Sequence, residues 1–270
     1  MTILNSQFSP QLSDTEECFD IHGRCIPGSI QGQAHQKTRR YFILDTPDID
    51  LQQIYSRHQS VFDIEKVLAF SSFEHKVNAI KASIAKHSSM ENILQGPAIP
   101  FILPQIHQND IGQELEQRFL PAIAQLYADN FPDSDFTNHV EESLVAKLVP
   151  AASGRQQYLL NKVRESAVVG MYFPCFLGFS VEAARQQIEL FPENFLLSGA
   201  YDTTAAFISL PELLFRKDGY PPLLWLAGME TDNPKANYHF EAYGYNLTFN
   251  KRPHFNQAAE YWASGITVLE

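Results

Sequence analysis

From Tyr238 to Phe249 the side chains alternate in character, and that period-two pattern commits the C-terminal third of the chain to sheet. One face of the expected strand carries Tyr238, Phe240, Ala242, Gly244, Asn246 and Thr248, the other His239, Glu241, Tyr243, Tyr245, Leu247 and Phe249. Upstream, Leu223 to Met229 reads as a strongly apolar strand. Thr231-Asp232-Asn233-Pro234 supplies turn chemistry between them, so the two strands are expected to pair antiparallel. A helix is expected from Phe255 to Ser264, stopped by Gly265, then a last strand over Ile266 to Leu269.

The middle of the chain is mostly helical in pattern. Asp48 to Val61 presents Leu51, Ile54, Tyr55 and His58 on one side. Asp63 is placed to cap a second helix, on which Phe73, Val77, Ile80 and Ile84 recur at helical spacing. Asp110 to Asn130 carries the stripe Ile111, Leu115, Phe119, Ile123 and Tyr127, with a break expected at Leu120 because Pro121 removes a backbone donor. Further helices are expected from Glu141 to Leu148, from Gly154 to Glu165 behind a Ser153 cap, from Ser180 to Phe191, and from Asp202 to Ser209. Tyr41 to Leu44 and Ala167 to Phe173 read as strands, the second uncharged and buried. Strands and helices mix without a regular βαβ rhythm. The expected fold is therefore α+β, with a mixed or antiparallel sheet drawn largely from the C-terminal third and packed against several helices. Residues 1–36, with scattered Pro, Gly, Ser and Gln, read as an irregular arm before one globular unit over 37–270.

Composition narrows the function classes. The net charge of −11 disfavours broad nucleic-acid or anionic-membrane surfaces, so neither partner is expected. Nearly all of that charge comes from residues 1–36, with four acids and one base, and residues 109–142, with eight acids and one base. It is most simply solvated surface. Three cysteines, an odd number, with no signal-peptide pattern suggest reduced thiols and a cytoplasmic protein. Walker A, GxGxxG, CxxC and GxSxG patterns are absent, so no cofactor is indicated. Cys25, beside His22 and Arg24, has the better electrostatic setting for a reactive thiol, and Cys175 reads as structural. Lys37-Thr38-Arg39-Arg40 is the basic cluster.

One constellation carries chemistry. His239 and Glu241 sit at i and i+2 of the same strand, about 6.5–7 Å apart at Cα, which pairs an imidazole with a carboxylate beside Tyr243 and Tyr245. Burial there should raise the Glu pKa, and a protonated His should oppose it. Glu230 and Trp225, on the neighbouring strand, are the expected substrate contacts. The leading expectation is an enzyme doing acid–base chemistry on a small molecule, with His239, Glu241, Tyr243 and Tyr245 as its catalytic set. A non-catalytic binding or interaction protein is the alternative. A metal-dependent enzyme is the third, although two ligands at i and i+2 lack a convincing third; His254 is near enough in sequence to fold back toward them. The bland reading is a wetted sheet face.

Overall fold

The computed structural model describes residues 17–35, 42, 44–64, 66–216 and 219–270. The basic cluster, the first part of the arm, and Tyr41 and Ile43 of the Tyr41–Leu44 stretch lie outside the described residues. Helix α1 (Leu51–Val61) starts where Asp50 accepts from the backbone N–H groups of Gln52 and Gln53 at 2.9 and 3.1 Å. It buries Ile54, Tyr55 and His58. Helix α2 (Phe70–Ile84) buries Phe73, Val77, Ile80 and Ile84 but has no side-chain cap. Asp63 instead pairs with Lys66 at 2.5 Å, well before the helix begins.

Strand β1 (Ile99–Leu103) is buried throughout. Helix α3 (Ile111–Glu114) is capped by Asp110, whose Oδ1 takes the Gln113 N–H at 2.8 Å. A π turn over Leu115–Phe119 follows, then α4 (Leu120–Asn130). The Leu120 N–H reaches back to the Leu115 carbonyl, so the ladder widens just before Pro121, which has no N–H to give. The expected break is therefore a π bulge, with helix on both sides.

Strand β2 is Phe136–Asn138 and β3 is Val149–Pro150. The helix expected between them does not form. Ala146 has φ of +58°, and carboxylates from the α3–π segment hold the loop: Asp110 accepts from Ala146 N–H and Glu116 from Leu144 N–H, each at 2.7 Å. Some of the acidic residues of 109–142 thus organise backbone as well as facing water. Helix α5 (Gln156–Glu165) begins after Arg155, which is left-handed at φ +59°, so Ser153 is not its cap. Strand β4 (Val168–Phe173) is fully buried. Ser180 caps α6 (Val181–Glu189) by accepting from Ala183 N–H. Strand β5 (Phe195–Leu197) leads to α7 (Ala200–Ser209), every residue of which is buried. Asp202 lies inside this helix, not at its cap; its carboxylate reaches back to the Gly199 N–H at 2.7 Å.

The remaining strands are β6 (Leu223–Trp225), β7 (Met229–Glu230), β8 (Ala236–Tyr243), β9 (Asn246–Pro253), β10 (Trp262–Ser264) and β11 (Ile266–Leu269). The apolar run Leu223–Met229 is split by a turn, whose Leu226 carbonyl and the Met229 carbonyl take the Asn237 amide at 3.1 and 2.9 Å. The single long strand expected over Tyr238–Phe249 is a hairpin. Gly244, at φ +64°, takes the first central position of its two-residue turn, where a side chain is disfavoured. The helix expected from Phe255 to Ser264 is replaced by turns and β10, because Phe255 and Asn256 have φ of +47° and +56°.

Two main sheets result. One runs β1-β4-β11-β5, all antiparallel. The other runs β10-β6-β8-β9-β2, parallel at its two outer pairs and antiparallel inside. Strands β3 and β7 form a small antiparallel pair. The fold is α+β, with its strands concentrated in the C-terminal half. Gly265 joins β10 to β11 and so passes the chain from one sheet to the other. A Cβ there would come within 2.2 Å of the Tyr172 ring, so the close approach requires glycine. Helix α7 packs on β1 and β4 and also sets Phe207 against Phe240 of the second sheet, with ring centroids 4.6 Å apart. Among the described residues no helix is long and apolar enough to cross a membrane.

Candidate functional site

The five-stranded sheet has two unlike faces. Residues paired across a ladder share a face, so the β8–β9 register puts Tyr238, Phe240, Leu247 and Phe249 together, with Phe240 against Phe207 of α7. That is the core face. The opposite face carries Asn237, His239, Glu241 and Tyr243 from β8, and Thr248, Asn250 and Arg252 from β9. The hairpin inverts parity. Thr248 therefore joins His239 rather than Tyr238, and Leu247 and Phe249 leave the face expected for them. On the other side of β8, Trp225 pairs with His239, and Ser264 of β10 pairs with Trp225. One row across the sheet thus reads Ser264, Trp225, His239, Asn250.

Aromatic rings make this row a cluster. The Trp225 ring lies 4.9 Å from His239, 5.1 Å from Trp262 and 5.7 Å from His254, centroid to centroid. The last two contacts are edge-to-face, the geometry that ring quadrupoles favour. Both histidines are about 1% exposed. Burial pulls the His239 pKa below its usual value, with the hydrogen bond to Glu241 opposing. Burial, helped by the nearby Arg185 charge, pulls His254 down to about 4. Both rings are neutral near pH 7. Glu241 shifts opposite to the expectation from burial: the His239 hydrogen bond holds its carboxyl below the usual range, against the pull of desolvation.

These charges fix the tautomers. The Glu241 carboxylate can only accept, and its Oε2 lies 3.4 Å from His239 Nε2, so Nε2 carries the proton. His239 Nδ1 is then a bare lone pair. It is buried and has no hydrogen-bond partner among the described residues. The Nε1 atoms of Trp225 and Trp262 and the Oγ of Ser264 are buried and without partners too. For His254 the Asn256 N–H donates to Nδ1 at 3.1 Å, which leaves the proton on Nε2.

The other expected residues fall around this cluster. Glu230 lies on β7 and faces Arg185 at 3.6 Å, and Arg185 also donates to the carbonyls of Ala227 and Met229. Tyr243 shares the face but is 82% exposed at the end of the hairpin. Tyr245 sits in the turn and stacks on Phe215 at 5.2 Å, away from His239. Trp225 is fully buried at the centre. Arg252 lies 3.7 Å from Glu241, and both side chains are partly exposed. Sequence patterns alone do not single out Trp262, Ser264 or Arg252, whereas His254 is close enough in sequence to be considered as a fold-back partner. The available signal is that Trp225 and Trp262 are the chain's two tryptophans.

A second buried polar cluster lies where α5, the start of α7 and β11 meet. Asp202 Oδ1 accepts from the N–H groups of Gly199 and Thr203 at 2.7 and 3.1 Å. Its Oδ2 accepts from Gln156 Nε2 at 2.9 Å and Thr267 Oγ1 at 2.7 Å. Ser198 Oγ in turn meets Thr267 Oγ1 at 2.9 Å. The carboxylate's acceptor capacity is used from four directions. At the margin, the Tyr172 and Thr203 hydroxyls are buried beside each other.

The thiols offer less. Cys25 is buried, and desolvation pushes its pKa well up; neighbouring Arg24 is bound by Asp20 at 2.6 Å. That is not the setting of a reactive thiolate. Among the described residues no group of three or more His, Cys, Asp and Glu is placed to hold a metal ion. Comparison with known proteins returns no matching family model, no matching curated protein and no matching solved structure.

Proposed function

We propose that this chain is an enzyme that moves a proton on a small molecule, with His239 Nδ1 as the general base. The observation that carries the reading is the bare, buried and unpartnered Nδ1 of a neutral ring whose other nitrogen is held by a carboxylate. An unpaired polar atom out of water costs about 1–3 kcal/mol, and functional sites are where folds keep such costs. Nδ1 takes a proton from the bound molecule, and Glu241 stabilises the imidazolium that forms. The proton then returns to the same or another atom, so the step needs no oxidant or reductant. Glu241 is a positioning residue here, not the base, because its hydrogen bond to His239 holds its pKa down and leaves the carboxylate a weak proton acceptor.

Proton abstraction from carbon leaves an isotopic trace whatever the substrate. A panel of small carbonyl compounds incubated with the protein in heavy water should gain carbon-bound deuterium, read by mass. Glu241→Gln should slow that gain by about 10²–10⁴-fold, and His239→Gln should abolish it while circular dichroism stays unchanged. Equal exchange in wild type and His239→Gln would end the reading. A carrier that binds without turnover would use the same unpartnered atoms; it predicts ligand binding with no exchange in any variant.

A further inference from the structure

Resting on the proton-transfer reading and deepening it, we infer that Arg252 is a positioning residue that sets the basicity of His239 by sharing one carboxylate oxygen with it. Glu241 Oε2 lies 3.4 Å from His239 Nε2 and 3.7 Å from Arg252 Nη1. One oxygen thus faces two nitrogens from adjacent strands. The guanidinium is charged throughout the pH range of folded proteins, whereas the imidazole is charged only after it accepts a proton. When Nδ1 takes that proton, a second cation settles on an oxygen that already faces one. The carboxylate favours the imidazolium and the guanidinium opposes it. Burial lowers the His239 pKa most, Glu241 opposes, and Arg252 lowers it further. For Glu241 the His239 hydrogen bond comes first, and Arg252 adds to it.

The other neighbours of the ring leave this role to Arg252. On β9, Asn250 pairs with His239 in the ladder, and its amide donates to Thr248 Oγ1 at 2.9 Å. Thr248 in turn donates to the Glu241 carbonyl at 2.9 Å. Both are uncharged. Lys251 lies on the opposite face, over the Tyr238 ring and bound to Asp232 at 2.9 Å. From β6 and β10 come Trp225, Trp262 and Ser264, and beyond Trp225 lies the neutral His254. Arg185 faces Glu230 at 3.6 Å. The Arg252 and Glu241 side chains are 40% and 33% exposed, so the charge on Arg252 can be removed without opening the core. The chemical consequence is a ring that stays unprotonated near neutral pH and is a weaker base than ordinary imidazole.

The test is an NMR pH titration of the His239 ring and the Glu241 carboxyl in the labelled full chain. Arg252→Met should raise both midpoints, each by about 0.2–0.7 pH unit, the size of a partly exposed charge pair. Arg252→Lys keeps the charge and should stay near the wild-type values. Glu241→Gln removes the favouring carboxylate and should lower the His239 midpoint. The acid limb of deuterium exchange should move with that midpoint, because it reports the protonation of the base. Midpoints that do not rise in Arg252→Met, or that rise equally in Arg252→Lys, would overturn the role of Arg252 and leave the base reading standing. Midpoints that answer to Arg252 as expected, with deuterium exchange indifferent to His239→Gln, would uphold the tuning and reject His239 as the base.

Discussion

Asp202 and His239 are both buried, polar and set on regular secondary structure, yet their surroundings differ in kind. Asp202 receives four hydrogen bonds, from α5, the start of α7 and β11, and so ties elements of the first sheet to the central helix. His239 has one side occupied by Glu241 and the other bare, beside two indole N–H groups and a serine that are equally unpartnered. The first arrangement uses its polar atoms to hold the fold. The second withholds them. A buried group with every bond made is structural glue, whereas a cluster of buried groups with bonds left over keeps them for something that arrives.

The contrast can be broken by substitution. Asp202→Ala strands the Gly199 and Thr203 N–H groups, the Gln156 amide and the Thr267 hydroxyl, and should cost about 4 kcal/mol or more in denaturant unfolding. A loss below about 1 kcal/mol would show that the network is dispensable.

Acid should act next, and through imidazoles. Burial lowers His58, hydrogen-bonded to Ser209 at 2.8 Å, to about 3, and His254 to about 4. An unfolded histidine binds its proton near pH 6.5. Between that value and the folded ones, the unfolded chain holds more protons, so stability falls as pH falls. For His58 alone the loss should be on the order of 3 kcal/mol by about pH 4.5. His58→Gln should flatten the profile over that window; an unchanged slope would contradict the assignment.

His239→Gln comes third. It removes a ring that makes one long hydrogen bond, so stability should shift by about 1 kcal/mol while deuterium exchange is lost. A stability loss matching that of Asp202→Ala would erase the distinction between the two clusters. Tyr243→Ser, at the exposed hairpin end, should change stability by less than about 0.5 kcal/mol and leave indole emission unaltered. A change in emission would bring Tyr243 back into the site.

Local patterns are readable where one element supplies its own signal. The helical stripe Phe73, Val77, Ile80 and Ile84, the Ser180 cap and the uncharged strand ending at Phe173 all follow from short-range chemistry. The hairpin is hidden because Tyr238 to Phe249 keeps alternating through the turn, and a two-residue turn flips which parity faces inward. The Gly244-Tyr245 turn carries the signature in its leading glycine. His239 and Glu241 are legible because i and i+2 on a strand share a face. Trp262 and Ser264 are not, since they arrive by parallel pairing of β10 with β6, and register between distant segments leaves no local mark. Asp202 reads as a cap in the sequence because its helix starts at Ala200, after a glycine that has no side chain to mark the boundary.

The most direct test is the protonation of the His239 imidazole nitrogens, read by long-range proton–nitrogen NMR on the labelled full chain near pH 7. The expected result is a neutral ring with the proton on Nε2 and none on Nδ1. A proton on Nδ1, or on both nitrogens, would contradict the assignment of His239 as the base.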